Sequence, residues 1–359
     1  MKGWRPGARY AAEHLKAFSG RILQWAGARP ADAMLTADGL VTADLRGVHS
    51  HGVVRTEVYA TRLRSGGINP AAELVLIRDR GPAVVVDAQA GLGIAMAVKA
   101  MDLAIERAAS YGFSAIGVRN SNHCGMLAYL VLRAVQRGMV GIALSNADAQ
   151  VAPWGARHRY LGTNPLAVAV PAGEEPPIVL DMATSVVAHG RIRAAAARGE
   201  SIPPEWALDE HGQPTTDPLQ ALRGALLPFG GPKGSGISLI IDILAGILPG
   251  GRSGPDIVPL YTLVDRPQGV GHFLMAIAVE AFGDVEAFQR RIDRLIRDVR
   301  ALPAAQGQAE VLLPGELEYR RAQAYGISGI PLPGEAVEVM ARLAAESGIP
   351  APWPQAGPD

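Results

Sequence analysis

The 359 residues carry 34 basic and 34 acidic side chains, so no long-range field gathers nucleic acid or anionic lipid, and a small-molecule partner is expected. A content of 48% hydrophobic and 19% charged residues excludes a disordered chain, and this length suits roughly two or three domains with a cleft between them. The single cysteine, Cys124, permits neither an intramolecular disulfide nor a cysteine zinc cage, so the expected compartment is the reducing cytoplasm.

Residues 1–20 mix Lys2, Arg5, Arg9 and Glu13 among apolar positions and lack the apolar core of a signal peptide. Met34, Ala37, Leu40 and Val41 then recur at helical spacing, and Val54, Val58 and Thr61 begin a second stripe, so the chain opens on a helical region. Between the stripes lies His49-Ser50-His51-Gly52, whose glycine allows a sharp turn and sets His51 at the mouth of a helix.

From Ala83 the texture changes. Val84-Val85-Val86 reads as a strand, Ile94, Val98, Met101, Ile105 and Ala108 as one face of a helix, and residues 115–118 as a second strand. A helix bearing Leu127, Leu130, Val131, Ala134 and Val135 stops at Arg137-Gly138 and leads into a strand at 140–144. Strands at 166–170 and 178–180 are joined by residues 171–177, too few for a helical crossover, so they pair antiparallel. The fold class is α/β (α+β), with a mixed or largely antiparallel sheet. The apolar stretch 237–248 falls short of the ~20 residues that span a membrane and reads as a buried core helix. Past Phe282, Asp284 is available as N-cap to a helix with Phe288, Ile292, Ile296 and Val299 on one stripe.

The dinucleotide fingerprint Gly-x-Gly-x-x-Gly is absent: Gly91-Leu92-Gly93 has Met96 where the third glycine belongs and reads as an ordinary turn. In Gly231-Pro232-Lys233-Gly234-Ser235-Gly236 the lysine precedes the closing glycines, which fails the Walker spacing. Lys233, at the mouth of an apolar helix, could still meet a pyrophosphate with its ammonium and free backbone N–H groups.

Asp44-Leu45-Arg46-Gly47-Val48-His49-Ser50-His51-Gly52 with Arg55 and Tyr59, Asn122-His123-Cys124-Gly125, Gly162-Thr163-Asn164-Pro165, Asp181-Met182-Ala183-Thr184, Pro214-Thr215-Thr216-Asp217-Pro218, Gly231-Pro232-Lys233-Gly234 and Pro314-Gly315-Glu316 together resemble the malate/L-lactate dehydrogenase-like family. The order of motifs matches from about Ala31 to Gly348, and among the family's ureidoglycolate dehydrogenases, sulfolactate dehydrogenases, diketogulonate reductases and cyclic imino-acid reductases the look is nearest to the ureidoglycolate dehydrogenases.

The resemblance implies a non-Rossmann NAD(P)-binding domain with a mixed, mainly antiparallel sheet, and a helical domain made from both chain ends. In this chain residues 1–78 would form the N-terminal helical domain, 79–300 the cofactor-binding sheet domain, and 301–359 a C-terminal helical segment packing back on the first. It also implies a homodimer with active sites near the subunit boundary, and NAD or NADP as cofactor. Asp181, Met182, Ala183, Lys233 with Gly234, and Gly315, Glu316 and Leu317 would line the cofactor site. One departure is Ala147, within Ser145-Asn146-Ala147-Asp148, where relatives commonly place a serine hydroxyl against the cofactor. Another is Ala278-Val279-Glu280 after Gly271-His272-Phe273, where many relatives have an aspartate sooner.

The implied reaction moves a hydride between the nicotinamide and C2 of a small 2-hydroxy acid or 2-oxo acid of the malate, lactate, ureidoglycolate or sulfolactate type. A base must take the hydroxyl proton, and histidine, with an ordinary pKa of about 6.5, suits that exchange. His51 and His123 are the candidates. His51 leads slightly because Ser50 and Arg55 cluster with it, Arg55 one helical turn on. Arg55 would hold the substrate carboxylate through two parallel hydrogen bonds. Asp181 would orient a histidine or the cofactor ribose, while Glu57, Tyr59 and Thr163 would shape the pocket. Cys124 reads as a packed small residue rather than a nucleophile. Two other classes compete: a metal-dependent hydrolase using His49 and His51 as a ligand pair on a strand, and a non-catalytic scaffold, which leaves the assembled Ser50, His51, Arg55, His123, Asp181 and Lys233 unexplained. The dehydrogenase reading needs no metal.

Overall fold

The computed structural model describes residues 7–352; residues 1–6, with Lys2 and Arg5, and residues 353–359 lie outside the described residues. A short strand β1 (Arg9–Tyr10) leads into helices α1 (Ala12–Trp25), α2 (Pro30–Leu45) and α3 (Thr56–Ser65). Pro30 occupies the start of α2, where its missing N–H costs no helical bond, and Ala37, Leu40 and Val41 turn inward to the core. Two single-turn 3-10 helices, His49–His51 and Val53–Arg55, connect α2 to α3.

Next come strands β2 (Val75–Arg80) and β3 (Ala83–Asp87), helix α4 (Gly93–Tyr111), strand β4 (Phe113–Ser121), helix α5 (Leu127–Val135) and strands β5 (Met139–Ser145), β6 (Leu166–Val170) and β7 (Ile178–Met182). The strand at 75–80 crosses the border expected at residue 78. Helix α6 (His189–Arg198), strand β8 (Ala207–Leu208), helix α7 (Pro218–Arg223) and strand β9 (Ala225–Leu226) form a small outlying unit with its own apolar cluster. Helix α8 (Pro232–Asp242) runs on as a π-turn, Ile243–Ile247, into a loop and strand β10 (Val270–Ala278). Helices α9 (Val285–Arg300) and α10 (Glu316–Ser328), strand β11 (Ile330–Pro331) and helix α11 (Gly334–Ser347) complete the described chain.

Seven strands form the main sheet in the order β2-β3-β4-β10-β5-β6-β7, and only β3 and β4 run parallel, through the α4 crossover. The sheet is therefore mixed and mainly antiparallel, as expected, and β6 and β7 pair antiparallel across their short turn. Strand β10 was not anticipated. It enters the centre of the sheet from far along the chain, and its nearly unbroken apolar run, buried on both sides, lacks the alternation that marks a half-exposed strand.

Helices α4 and α5 pack on the face bearing Ile116 and Val118; the alternate residue Gly117 faces Pro249, so the segment after α8 covers the opposite face. That segment is not a buried core helix. Ser238, Ile241 and Ala245 turn inward, while Ile237, Ile240 and Leu248 stay 40%, 54% and 61% exposed, because this helix has the sheet on one side only. Helix α8 begins at Pro232, which puts Lys233 inside its first turn rather than ahead of it.

The chain ends meet: β1 pairs antiparallel with β11, Arg9 opposite Pro331, and α11 packs on α3 and the Val53–Arg55 turn. Asp284 caps α9 by accepting the Ala287 N–H at 2.7 Å, and Asp293 from the same helix accepts the N–H groups of Gly173, Glu174 and Glu175 in the β6–β7 turn.

Candidate active site

The site grows from one buried carboxylate. Asp44, at the end of α2, pairs through Oδ1 with His49 Nδ1 at 2.7 Å and accepts the Val53 N–H on Oδ2 at 2.7 Å. Gly52 lies between these anchors in extended backbone, φ −86°, and a Cβ there would come within 2.1 Å of the Asp44 carboxylate. The glycine is needed for close approach, not for a left-handed turn. So anchored, residues 49–55 fold as 3-10 turns instead of a strand. His49 and His51 consequently take different partners and do not form a ligand pair, and among the described residues no group of three or more His, Cys, Asp or Glu side chains could hold a metal ion.

His123 is anchored from the other side. A Cβ on Gly93 would meet the carbonyl oxygens of Asn122 and His123 at 2.2 and 2.3 Å, so the Gly91-Leu92-Gly93 turn seats α4 on the His123 loop. The Asn122 amide donates to the Ala90 and Gly91 carbonyls at 2.8 and 2.9 Å, and the His123 N–H donates to Gln268 Oε1 at 2.9 Å.

The imidazoles of His51 and His123 stack with centroids 5.6 Å apart and planes 22° from parallel. His51 Nδ1 lies 3.0 Å from Ser50 Oγ, and His123 Nδ1 lies 2.7 Å from the Tyr59 hydroxyl. The Gly125 N–H also points at His123 Nδ1, at 3.4 Å; a backbone N–H only donates, which assigns the proton of the neutral His123 ring to Nε2. Burial, and then the Arg55 charge, lowers the His51 pKa to about 4. Burial first, followed by His51 and Arg55, takes His123 well below its ordinary range. Both rings are neutral at pH 7.

His51, His123, Cys124, Ala147, Asp148 and Thr163 surround a cavity of ≈ 70 Å³. Beside it runs a cleft of ≈ 1250 Å³, walled by the His49–Arg55 turns, α3, the end of β7, α6 and α11. Burial pushes the Cys124 thiol up to about 12, so it is a protonated wall residue with no thiolate character. Burial also raises the Asp148 carboxyl, which accepts from Gln150 Nε2 at 2.6 Å.

Arg55 lines the cleft: Nε donates to the Ser50 carbonyl at 2.7 Å, the guanidinium lies 5.2 Å from the Tyr261 ring centre, and the terminal nitrogens have no partner among the described residues. Glu57 lines it too, held by Arg342 at 3.0 Å. Tyr59, expected against the substrate, is instead buried behind His123 and orients that ring.

The expected cofactor residues separate into two groups. Met182 and Ala183 line the cleft and Ala147 the cavity. Asp181 stands exposed on β7 and accepts the Ala128 N–H at 2.7 Å; it reaches no histidine. Lys233 is exposed and has no partner among the described residues, and Gly234 packs against Phe229, neither of them lining the cavity or the cleft. Glu316 is buried and spent on Arg300 and Arg320, at 3.2 and 2.7 Å, while Gly315 seats against Val179 and Leu317 points outward.

Sequence reasoning missed Asp44, Asp148, Gln268, Tyr261 and Arg193. The two aspartates sit in motifs already singled out, and for Asp44 the histidine five residues on was the available signal; nothing local marks the other three. A cofactor's anionic groups fit the cleft region: Arg46 is buried, its Nε has no partner among the described residues, and it lies within electrostatic reach of Asp181 and of Glu318 on the cleft wall.

The family model for malate/L-lactate dehydrogenase matches residues 10–341. L-sulfolactate dehydrogenase of Methanocaldococcus jannaschii is 38% identical over 299 residues, 83% of this chain and 86% of that protein. Ureidoglycolate dehydrogenase (NAD(+)) of Escherichia coli O157:H7 is 36% identical over 306 residues, 84% of this chain and 87% of that protein. The crystal structure of malate dehydrogenase from Entamoeba histolytica superposes with a TM-score of 0.91 at 31% identity, covering 96% of this chain and 99% of that one. With the stacked histidines and the mixed sheet, these matches make the chain a member of the malate/L-lactate dehydrogenase family.

Proposed function

We propose that this protein is an NAD(P)-dependent oxidoreductase that moves a hydride between the nicotinamide and C2 of a small 2-hydroxy acid or 2-oxo acid. The observation that carries the reading is the stacked, neutral His51–His123 pair on a small cavity, one turn from the open guanidinium of Arg55. When bound, the cofactor supplies the hydride acceptor or donor. Met182 and Ala183 would hold it along the cleft, with Arg46 beside its anionic groups and Ala147 at the cavity wall.

Arg55 takes the substrate carboxylate on its two free nitrogens and so fixes C2 near the imidazoles. His51 moves the proton: Ser50 Oγ can accept from Nδ1–H or donate to Nδ1, so Nε2 can serve as base or as acid. His123, its Nδ1 facing a fixed N–H, donates Nε2–H to the substrate oxygen. The Arg55 charge depresses His51; a carboxylate bound on Arg55 cancels part of that charge and lifts His51 back toward its ordinary value, so the base becomes stronger when substrate is present. Thr163 and Glu57 shape the walls.

The division into residues 1–78, 79–300 and 301–359 is proposed as the domain plan, with the cleft between the helical ends and the sheet. Among the described residues no helix is long and apolar enough to cross a membrane. We place the protein in the cytoplasm, consistent with one buried, unpaired thiol. A second copy is proposed to cover Ile237, Ile240 and Leu248, giving a homodimer; Ile240→Glu would then yield monomer by light scattering, and an already monomeric wild type would refute it.

The function is tested by following NAD(P)H absorbance with a panel of 2-oxo acids and cyclic imino acids, with and without a chelator. Turnover of 2-oxo acids that survives the chelator is expected. A flat signal across the panel refutes the reading, and turnover confined to cyclic imino acids points to the reductase.

A further inference from the structure

Arg193, on the first half of α6, lines the cleft opposite the Val53–Arg55 turn, and its guanidinium lies 5.1 Å from the Tyr261 ring centre. Arg55 lies 5.2 Å from the same ring. Two cations thus share one aromatic side chain, close enough that the Arg193 charge disfavours that of Arg55. Among the described residues neither forms an ion pair and Arg193 has no hydrogen-bond partner. Arg159 adds a third positive charge on that side, acting with Arg193 on His189 and Asp148, while its Nη2 donates to the Arg223 carbonyl. The acids around this group include Glu335, within electrostatic reach of Arg55, Glu318 and Glu338, which line the same cleft, and Asp148, whose carboxyl is raised by burial and bonded to Gln150. Glu57 is occupied by Arg342. Glu335 offsets part of the repulsion at Arg55, and an anion between the two guanidiniums would relieve the rest.

Arg55 accounts for one carboxylate. Resting on the dehydrogenase reading above, we propose that Arg193 is a specificity-determining residue that binds a second anionic group at the far end of the substrate, so that dianionic 2-hydroxy acids, with a terminal carboxylate or sulfonate, are the substrate class. Both guanidiniums lie within 5.2 Å of the Tyr261 ring centre, and a substrate with one charge leaves Arg193 unpaired.

The test compares malate with its 4-amide, a near isostere with one charge fewer, and with 3-sulfolactate, measuring kcat/KM for each with the wild type, Arg193→Leu and Arg193→Lys. The wild type should prefer malate or sulfolactate over the amide by on the order of 100-fold, as charge-assisted pairing predicts. Arg193→Leu should lower that preference at least about tenfold while amide turnover stays within about threefold, and Arg193→Lys should restore part of it. Which dianion is faster distinguishes the carboxylate from the sulfonate. Arg193 is exposed on a surface helix, and a thermal unfolding midpoint matched to wild type confirms that the variant is folded. A wild-type ratio near one, or an unchanged ratio in Arg193→Leu, overturns the proposal while leaving the dehydrogenase intact. A raised cofactor KM with the ratio unchanged makes Arg193 a cofactor residue and likewise overturns it. No turnover of any 2-hydroxy acid overturns both readings.

Discussion

The His51–His123 corner and the His272 position hold the same side chain under the same pressure. Burial takes the His272 imidazole to about 4, as it does His51. Yet His272, near the start of β10, is closed on both sides, Nδ1 at 3.0 Å from Ser145 Oγ and Nε2 at 2.9 Å from Ser121 Oγ. His51 and His123 are each held on Nδ1 alone and line a cavity with the rest of the ring. A depressed pKa records desolvation; a nitrogen left open toward a cavity beside an unpaired arginine is what distinguishes a working histidine from a packed one.

The largest expected effect breaks the comparison at the open end. His51→Asn and His123→Asn should each reduce turnover far more than cofactor binding, one of them by about 100-fold or more, as loss of a proton carrier does. His272→Gln should leave turnover within about fivefold. Steady-state kinetics on the three variants decides it, and equal losses at all three would erase the distinction.

The closed end is sharpened by acid. The unfolded imidazole titrates near its ordinary 6.5 and the folded His272 near 4, so below pH 6.5 the unfolded chain binds the extra proton and stability falls as the pH drops toward 4. Over that window this one residue contributes a loss of about 3 kcal/mol. Chemical denaturation at pH 7 and pH 5 should show His272→Gln less stable at neutrality but less acid-sensitive than wild type. Identical pH slopes would mean that His272 is not held neutral in the fold.

Next in size is the arginine proposed to hold the substrate carboxylate. Arg55→Lys keeps the charge and loses the planar fork, and kcat/KM for the acid substrate should fall by about 1–3 kcal/mol of transition-state binding with cofactor affinity unchanged. An unchanged efficiency would return Arg55 to the class of solvated surface arginines. The smallest effect is expected at Lys233, exposed and outside the cleft: Lys233→Ala should raise the apparent cofactor KM by no more than about threefold, since an exposed charge is screened. A tenfold rise would show that the site extends to α8, contrary to the geometry of the single chain.

Much of this was written locally. The helices of residues 30–45, 93–111, 127–135 and 285–300 announce themselves by periodicity, and Pro30, Gly138 and Asp284 punctuate them. The antiparallel β6–β7 pair followed from the length of its turn. The motifs around His51 and His123 named the two side chains that the fold stacks. Other local signals misled. Gly52 looked like a turn glycine and is there for the Asp44 carboxylate; residues 237–248 looked like core because apolar composition does not say which side of a helix has a neighbour. Glu316 looked available until Arg300 and Arg320 closed on it.

What the sequence determined by itself was the kind of protein: its element types, its family and the two histidines, because periodicity, turn chemistry and short motifs act over a few neighbouring residues. The tertiary structure decided where those residues stand and what surrounds them. It drove β10 through the middle of the sheet, put Tyr59 behind His123, sealed His272 between two serines from different strands and brought Arg193 to the ring already held by Arg55. Desolvation and charge pairing depend on neighbours scores of residues apart in the chain, and only the folded molecule sets those distances.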